Sequence, residues 1–482
     1  MNNKNKKNCR VLLILLAVIF GTIFLIACLP TETTETTPTH TPEPVFLSQL
    51  RVEGTQVLNK EDEYVMLRGI NVGGLLVTEQ WMCMIGGSRG AGDAVDHYYI
   101  NRVFVERFGT YATQAIWENY RNHFWTEQDF INVREMGVNV LRLPFTYMTV
   151  DPLYHNIPAI PGQRFNFSFL DWFVARAAYH GIYTILNLHG AYGSHNGQDH
   201  SGRNINVPAA SNNVNGVMNY VTFFNPTHPD GIYNRARTTV LWRAVAEHFN
   251  GNPNVAAFFL LNEPGEKANL TVRRHWDYHD ELYRAIREVN QDHIIIFNSS
   301  WGGADIPHPT NNAWGFNWDR NVMYAFHHYT HYAGHPQNPN YGHTHNASMR
   351  NRVTEVHNRN FGVPIIMSEF TSLFGEASWE YTLELFDEFG WHWTPWTYRV
   401  RSGVGGSVWG VFNSRVQTGN SEAAQAAQAY RFVRADTDSF EEIMRKWSMV
   451  GGDQDNVYKF AFPSGRTLFD LLQYYMTRET VV

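Results

Sequence analysis

Eight short apolar runs punctuate the chain between residues 65 and 398: VMLRGINV, VNVLRLPF, YTILNLHG, VAAFFLLNEP, HIIIFNSS, VMYAFHHY, PIIMSEF and WHWTPWTY. Between many of them the apolar period lengthens to that of amphipathic helices, as in TEQDFINVREMG (126–137), FLDWFVARAAYHG (169–181) and RTTVLWRAVAEHF (237–249), several stopped by Gly. Strands apolar on both faces and separated by helices form parallel sheets, and eight repeats predict closure into an α/β fold, the (β/α)8 TIM barrel. A doubly wound open sheet is the alternative. Upstream, residues 47–70 alternate and turn at two polar clusters, which predicts an N-terminal β-hairpin leading into the first strand. Residues 191–236 and 302–321, rich in Gly, Asn, Pro and aromatics, predict long βα loops. DSFEEIMRKWS and RTLFDLLQYYMTRE predict helices that close the barrel.

Composition narrows the partner. With 44% hydrophobic and 15% aromatic residues in 482, most of the chain can bury a core, so extended disorder is excluded. Setting aside the basic leader (Lys4, Lys6, Lys7, Arg10) takes the formal charge from −7 to −11, a poor balance for gripping nucleic acid. A neutral partner fits better.

The N-terminus carries an address. A basic start, an apolar run from Val11 to Ala27 and then Leu25-Ile26-Ala27-Cys28 resemble a lipoprotein signal with its lipobox, which implies cleavage before Cys28 and lipidation of its thiol. An uncleaved membrane anchor is the alternative. The expected organisation is therefore 1–28 signal peptide, 29–45 Thr/Pro-rich linker and 46–482 catalytic domain, extracytoplasmic, lipid-anchored to a bacterial cell envelope, and monomeric. In that domain Cys83 is the one cysteine, so no internal disulfide can brace it.

Most of the eight runs end in chemistry. Arg142 closes the second, His189 the third, Asn262 and Glu263 the fourth, His327 and Tyr329 the sixth, Glu369 the seventh and Trp396 the eighth. In a barrel such ends converge on one face. Two convergent carboxyls, Glu263 and Glu369, suit glycosidic cleavage, in which one acid protonates the leaving oxygen and the other acts as nucleophile or base. The proton donor calls for surroundings that raise its pKa, the nucleophile for hydrogen-bond donors that keep it ionised.

The motifs RGINVGG, LRLPF, NLHG, LLNEP, HHY, MSEF and WTYR stand in this order at strand ends, and with them the chain resembles glycoside hydrolase family 5 from about residue 50 to at least 410. That resemblance implies Glu263 as acid/base and Glu369 as nucleophile. It further implies Tyr329 and Arg142 as donors to Glu369, Asn262 at the sugar 2-hydroxyl, His189 and His327 lining the same subsite, and Trp396 as stacking platform with Trp409 as its rival. No cofactor or metal is implied. The His-rich stretch His328, His331, His335, His343 and His345 has irregular spacing and no Cys, which argues against zinc.

Within the family, RGINVGGLLVTEQWM, HFWTEQDF and NLHGAYGSHNGQDHSGR most resemble exo-β-1,3-glucanases, which implies that Glu79 binds the terminal glucose of a β-glucan. Leu75 and Arg399 depart from that group, where Trp and Lys are usual, and the short spacing from Glu369 to Trp396 resembles endoglucanase-like members. Endo-β-1,4-glucanase is thus the alternative substrate reading, and a non-catalytic carbohydrate-binding lipoprotein the alternative class.

Overall fold

The computed structural model describes residues 46–86, 96–151, 164–204, 220–264, 272–299, 306–318, 321–330, 341–373, 375–402, 407–415, 432–450 and 457–479. Cys28, the leader and the linker lie outside the described residues, as do His331, His335 and the side chain of His343. Residues 44–482 form one compact unit.

All eight runs become parallel strands of one sheet, in sequence order: β1 (Gly69–Asn71), β2 (Val140–Thr146), β3 (Tyr183–Gly190), β4 (Val255–Phe259), β5 (Ile294–Asn298), β6 (Val322–His328), β7 (Ile365–Phe370) and β8 (His392–Trp393). The last strand meets the first through a parallel bridge between Arg68 and Trp393, with Trp393 N–H donating to Leu67 O at 3.0 Å. This closes the sheet and leaves no edge to aggregate. The open-sheet alternative is thereby set aside.

Around the strands stand α1 (Glu127–Glu135), α2 (Ser168–Tyr179), α3 (Pro229–His248), α4 (Val272–Arg287), α5 (Tyr341–Asn358), α6 (Glu376–Glu388) and α7 (Leu468–Thr477). The local sequence explains each boundary it can. In α2, Leu170, Phe173, Val174, Ala177 and Ala178 are buried at helical spacing, and the chain then turns at Gly181 with φ 77°. Both α1 and α7 open on capping boxes, Thr126 with Asp129 and Thr467 with Asp470. Between β5 and β6 no helix occurs among the described residues; Trp314, Phe316 and Trp318 pack there instead. Helix α3 starts at Pro229, so the third loop is shorter than its composition suggested.

The hairpin (Arg51–Glu53 with Gln56–Leu58) plugs one end of the barrel. Its Leu50 and Val57 join the interior core of Val140, Ile185, Ala257, Ile294, Met323 and Ile366. Leu47 N–H and Val52 N–H donate to Asn254 and Asn321, just before β4 and β6, each at 2.9 Å. Burying each such apolar side chain stabilises by roughly 1.5–3 kcal/mol. The opposite end, where the strands finish, stays open to build a site.

Two features lay hidden in the sequence. Helices His97–Phe108 and Thr110–Phe124 are inserted after β1, and the helix Phe440–Trp447, expected on the barrel, packs against them through Trp447, 4.7 Å from Tyr120 and 5.3 Å from Trp117. Tyr120 O–H donates to Gly74 O at 2.7 Å, so this bundle braces the loop after β1. A small sheet of Arg399–Ser402, Phe412–Arg415 and Val457–Lys459 follows β8. Arg399 is structural: buried, it pairs with Asp129 at 2.5 Å and donates to Phe124 O.

Candidate active site

Asn71 ends β1 with its side chain buried, its amide donating to Ser368 O, Thr394 O and Pro395 O while its oxygen accepts from Arg142. Two residues on, Gly73 is obligatory: a Cβ there would lie 2.5 Å from Thr397 Oγ1 and 3.0 Å from the Trp396 ring. Arg142 sits in the middle of β2 rather than at its end, because the strand runs on to Thr146; the long side chain makes up the difference. Its Nη1 donates to Asn71 Oδ1 at 2.6 Å and to Glu369 Oε1 at 2.8 Å, and its Nη2 to Asn262 Oδ1. Burial drives this guanidinium below its usual pKa, with Glu369 the chief opposing influence.

Glu369 is the penultimate residue of β7, beyond a register shift between Met367 and Glu369 that sets it opposite His327. Its second oxygen accepts from Tyr329 O–H at 3.0 Å. Burial, then the charge of Glu369, hold the Tyr329 phenol far above its ordinary pKa. The Tyr329 phenol therefore stays a donor to Glu369.

Glu263 follows β4 at φ 42°, in the left-handed region, with its N–H donating to Asn298 Oδ1 at 2.7 Å. Its carboxylate faces imidazoles: His327 Nδ1 lies 2.7 Å from Oε1, and His200 Nε2 lies 3.2 Å from Oε2. Oxygens of Glu263 and Glu369 come within 4.8 Å of each other, with His327 Nδ1 3.4 Å from Glu369 Oε2. The two carboxyls share one gap. This trio could offer ligand atoms to a cation, but Arg142 already neutralises Glu369 at 2.8 Å.

Burial, the largest single influence on Glu263, pushes its pKa up as expected of a proton donor, but the His327 hydrogen bond and the charges of His327, His200 and Arg142 act the other way and lower it to about 2.

His189 stacks on Trp396, centroids 5.4 Å apart with 13° between planes, and its Nε2 faces Asn262 Nδ2 at 3.3 Å. Burial drives this imidazole well below its ordinary pKa. Trp396 is thereby covered on one face and only 4% exposed, so it offers little surface for stacking. Trp409 is half-buried between Tyr329 and Trp81, centroids 5.3 and 5.4 Å away, and Trp81 is 39% exposed. Glu79 accepts from Trp81 Nε1 at 2.8 Å; burial and the charge of Asp199 raise it to about 8, so it carries a proton at neutral pH. His328 and His345 are packing histidines, hydrogen-bonded to Ser348, Thr330 and Thr382 and driven to low pKa by burial.

Sequence reasoning missed Asn71, Asn298, Trp81, His195, Asn196 and His200. His195 Nε2 contacts Asn262 O, and Asn196 Nδ2 donates to Glu263 O at 3.1 Å. The last three lie in the stretch after NLHG, whose dense polar composition was the available signal.

A closed barrel with its polar side chains gathered over the carboxyl ends of the strands falls in the class of (β/α)8 glycosidases. Residues 103–402 match the model for Cellulase (glycosyl hydrolase family 5), and the chain belongs to that family. It is 25% identical to a β-xylosidase of Phanerodontia chrysosporium over 287 residues, covering 59% of this chain and 52% of that protein. To the probable glucan 1,3-β-glucosidase A of Emericella nidulans it is 29% identical over 269 residues, 56% of this chain and 58% of that one. The chain thus spans little more than half the length of these curated relatives. The crystal structure of AoRut shares the fold, with a TM-score of 0.51 at 16% identity over 70% of this chain and 89% of that one.

The backbone at Glu263 yields a direct check. A non-glycine residue in the left-handed region costs roughly 1–2 kcal/mol, so Glu263→Gly should be more stable than Glu263→Ala by about 1 kcal/mol. Chemical denaturation of the two variants, both lacking the carboxyl, isolates that backbone contribution; equal stability would remove it.

Proposed function

We propose that the protein is a retaining hydrolase of β-glucans in which Glu369 attacks the anomeric carbon and Glu263 serves the leaving oxygen. The carrying observation is the approach of the two carboxyls to within 4.8 Å. That suits double displacement, which uses carboxyls about 5–5.5 Å apart, whereas inverting enzymes keep about 6.5–9.5 Å for a water. In the first step Glu263 gives its proton to the glycosidic oxygen as the C1–O bond breaks and a Glu369 oxygen bonds to C1. In the second, Glu263 takes a proton from water as the water oxygen displaces Glu369.

The partners divide the roles. Arg142 and Tyr329 each donate to one oxygen of Glu369, which orients it for attack. Glu263 instead faces the imidazoles of His327 and His200. Asn262, oriented by Arg142, has an amide available for the sugar 2-hydroxyl. Trp409 and Trp81 supply aromatic surface for a pyranose.

For the substrate we favour a β-1,3-glucan attacked from its end. Relatives named as probable glucan 1,3-β-glucosidases support this, as does Glu79, whose protonated carboxyl would donate to a terminal sugar hydroxyl. We also place the enzyme outside the cytoplasm, tethered through a lipid on Cys28 and the 29–45 linker, on the strength of the leader sequence.

Glu369→Ala should lower turnover by more than about 10³-fold, and azide should restore it with formation of the α-glycosyl azide; substantial residual activity without any azide response contradicts the nucleophile assignment. On laminarin the wild type should release glucose from the outset. Early mixed oligomers, or preference for cellulose oligomers, would favour the endo-β-1,4 reading. Cys28→Ser should free the protein from membranes, and unchanged retention would point to an uncleaved anchor.

A further inference from the structure

The inserted helices His97–Phe108 and Thr110–Phe124 enclose a cavity of about 100 Å³ against the turn Tyr147–Val150 after β2 and the start of α2. None of its lining residues belongs to the catalytic constellation. Arg121, in the last turn of the second helix, lines it together with a smaller neighbour of about 30 Å³ beside Leu75 and Leu76. The guanidinium lies over the Phe169 ring, 5.1 Å from its centroid, and its Nε is buried without a hydrogen-bond partner. Among the described residues no carboxylate or carbonyl engages its other nitrogens.

The molecule's other enclosed guanidiniums are treated differently. Arg142 is paired with Glu369, Arg399 with Asp129 and Arg68 with Asp387. Withdrawing a charge from water without such a partner is costly. Burial lowers the pKa of Arg121 to about 10, so it keeps its charge at neutral pH, and the acid acting on it across space is the exposed Glu118. Asp151, also at the cavity, is committed to Arg237 and to Tyr192 O–H. Residues 152–163, outside the described residues, contain no Asp or Glu.

A planar anion is the group that completes this arrangement, since a carboxylate matches the fork of a guanidinium. The walls then say what carries it. Thr113, Gln114, Thr149, Asn166 and Ser168 supply hydroxyls and amides around Arg121. Thr113 O–H donates to Gly109 O at 2.9 Å, which leaves its oxygen to accept, and Asn166 Oδ1 accepts from Ser168 N–H at 3.0 Å, which leaves its amide to donate. Such a mixed set suits the hydroxyls of a sugar. Trp172, 39% or more like Trp81 in exposure at 43%, stands with its ring centroid 5.3 Å from that of Phe169 and extends aromatic surface outside the cavity.

We propose that this cavity is a second, non-catalytic glycan site that takes a uronic acid residue, its carboxylate paired with Arg121 and its hydroxyls met by the surrounding hydroxyl and amide side chains. The site uses neither Glu263 nor Glu369, so the protein can hold an acidic glycan while the barrel mouth acts on a neutral one.

Calorimetric titration with methyl β-glucuronide tests this independently of the hydrolase reading. Arg121→Gln should weaken its binding at least tenfold, while leaving affinity for methyl β-glucoside and kcat/KM on laminaribiose unchanged. Sulfate should bind the wild type at least tenfold less tightly than the glucuronide. No glucuronide binding by the wild type, or equal affinity in Arg121→Gln, overturns the proposal; sulfate as tight as the glucuronide overturns the sugar assignment. Should Arg121→Gln not fold, Asn166→Asp, which sets a negative charge on an exposed position at the cavity, is judged by the same titration and should also weaken glucuronide binding.

Discussion

The buried guanidinium of Arg142 is the contact on which the rest of the site depends. From the middle of β2 it reaches Asn71 at the end of β1, Asn262 after β4 and Glu369 in β7, so one planar group spans the barrel mouth and ties four strands together. A charge so enclosed calls for a counter-charge and hydrogen-bond partners. Glu369 supplies the first and the two asparagines accept from Nη1 and Nη2, while Nε is buried without a hydrogen-bond partner. The carboxyl of Glu369 is thereby held at a set position before any sugar arrives, which is what electrostatic preorganisation requires.

The second carboxyl is treated differently although it is as deeply buried. Glu263 stands on a left-handed backbone held by Asn298, and its neighbours are imidazoles rather than a permanent cation and a phenol. Two chemically identical side chains thus sit in different surroundings, one between a guanidinium and a phenol, the other against two imidazoles. The low pKa of Glu263 belongs to this arrangement, in which the His327 hydrogen bond and nearby charges outweigh burial.

The barrel was legible because a parallel sheet buried on both faces leaves continuous apolar runs, and each of the eight runs became a strand. Glu263, Glu369, His327, Tyr329 and Asn262 were legible because they stop such runs. What could not be read depended on contacts between distant segments. The helices between residues 97 and 124 owe their place to Trp447, more than three hundred residues away, and no local pattern announces that pairing. Trp396 looked like a stacking platform from its position after β8, but His189 of β3 covers it, leaving Trp409 and Trp81 as the accessible rings. The surroundings of Glu263 were unreadable for the same reason, since His200 comes from the loop after β3 and His327 from β6.

The central claim is that two acids face each other across a gap fitted to a covalent intermediate rather than to an intervening water. Proton NMR of the first sugar released from an aryl β-glucoside, recorded before mutarotation, tests it most directly. The β-anomer should appear first and decay toward equilibrium, as retention requires. Initial appearance of the α-anomer would show direct displacement by water and contradict the account, however closely the carboxyls approach.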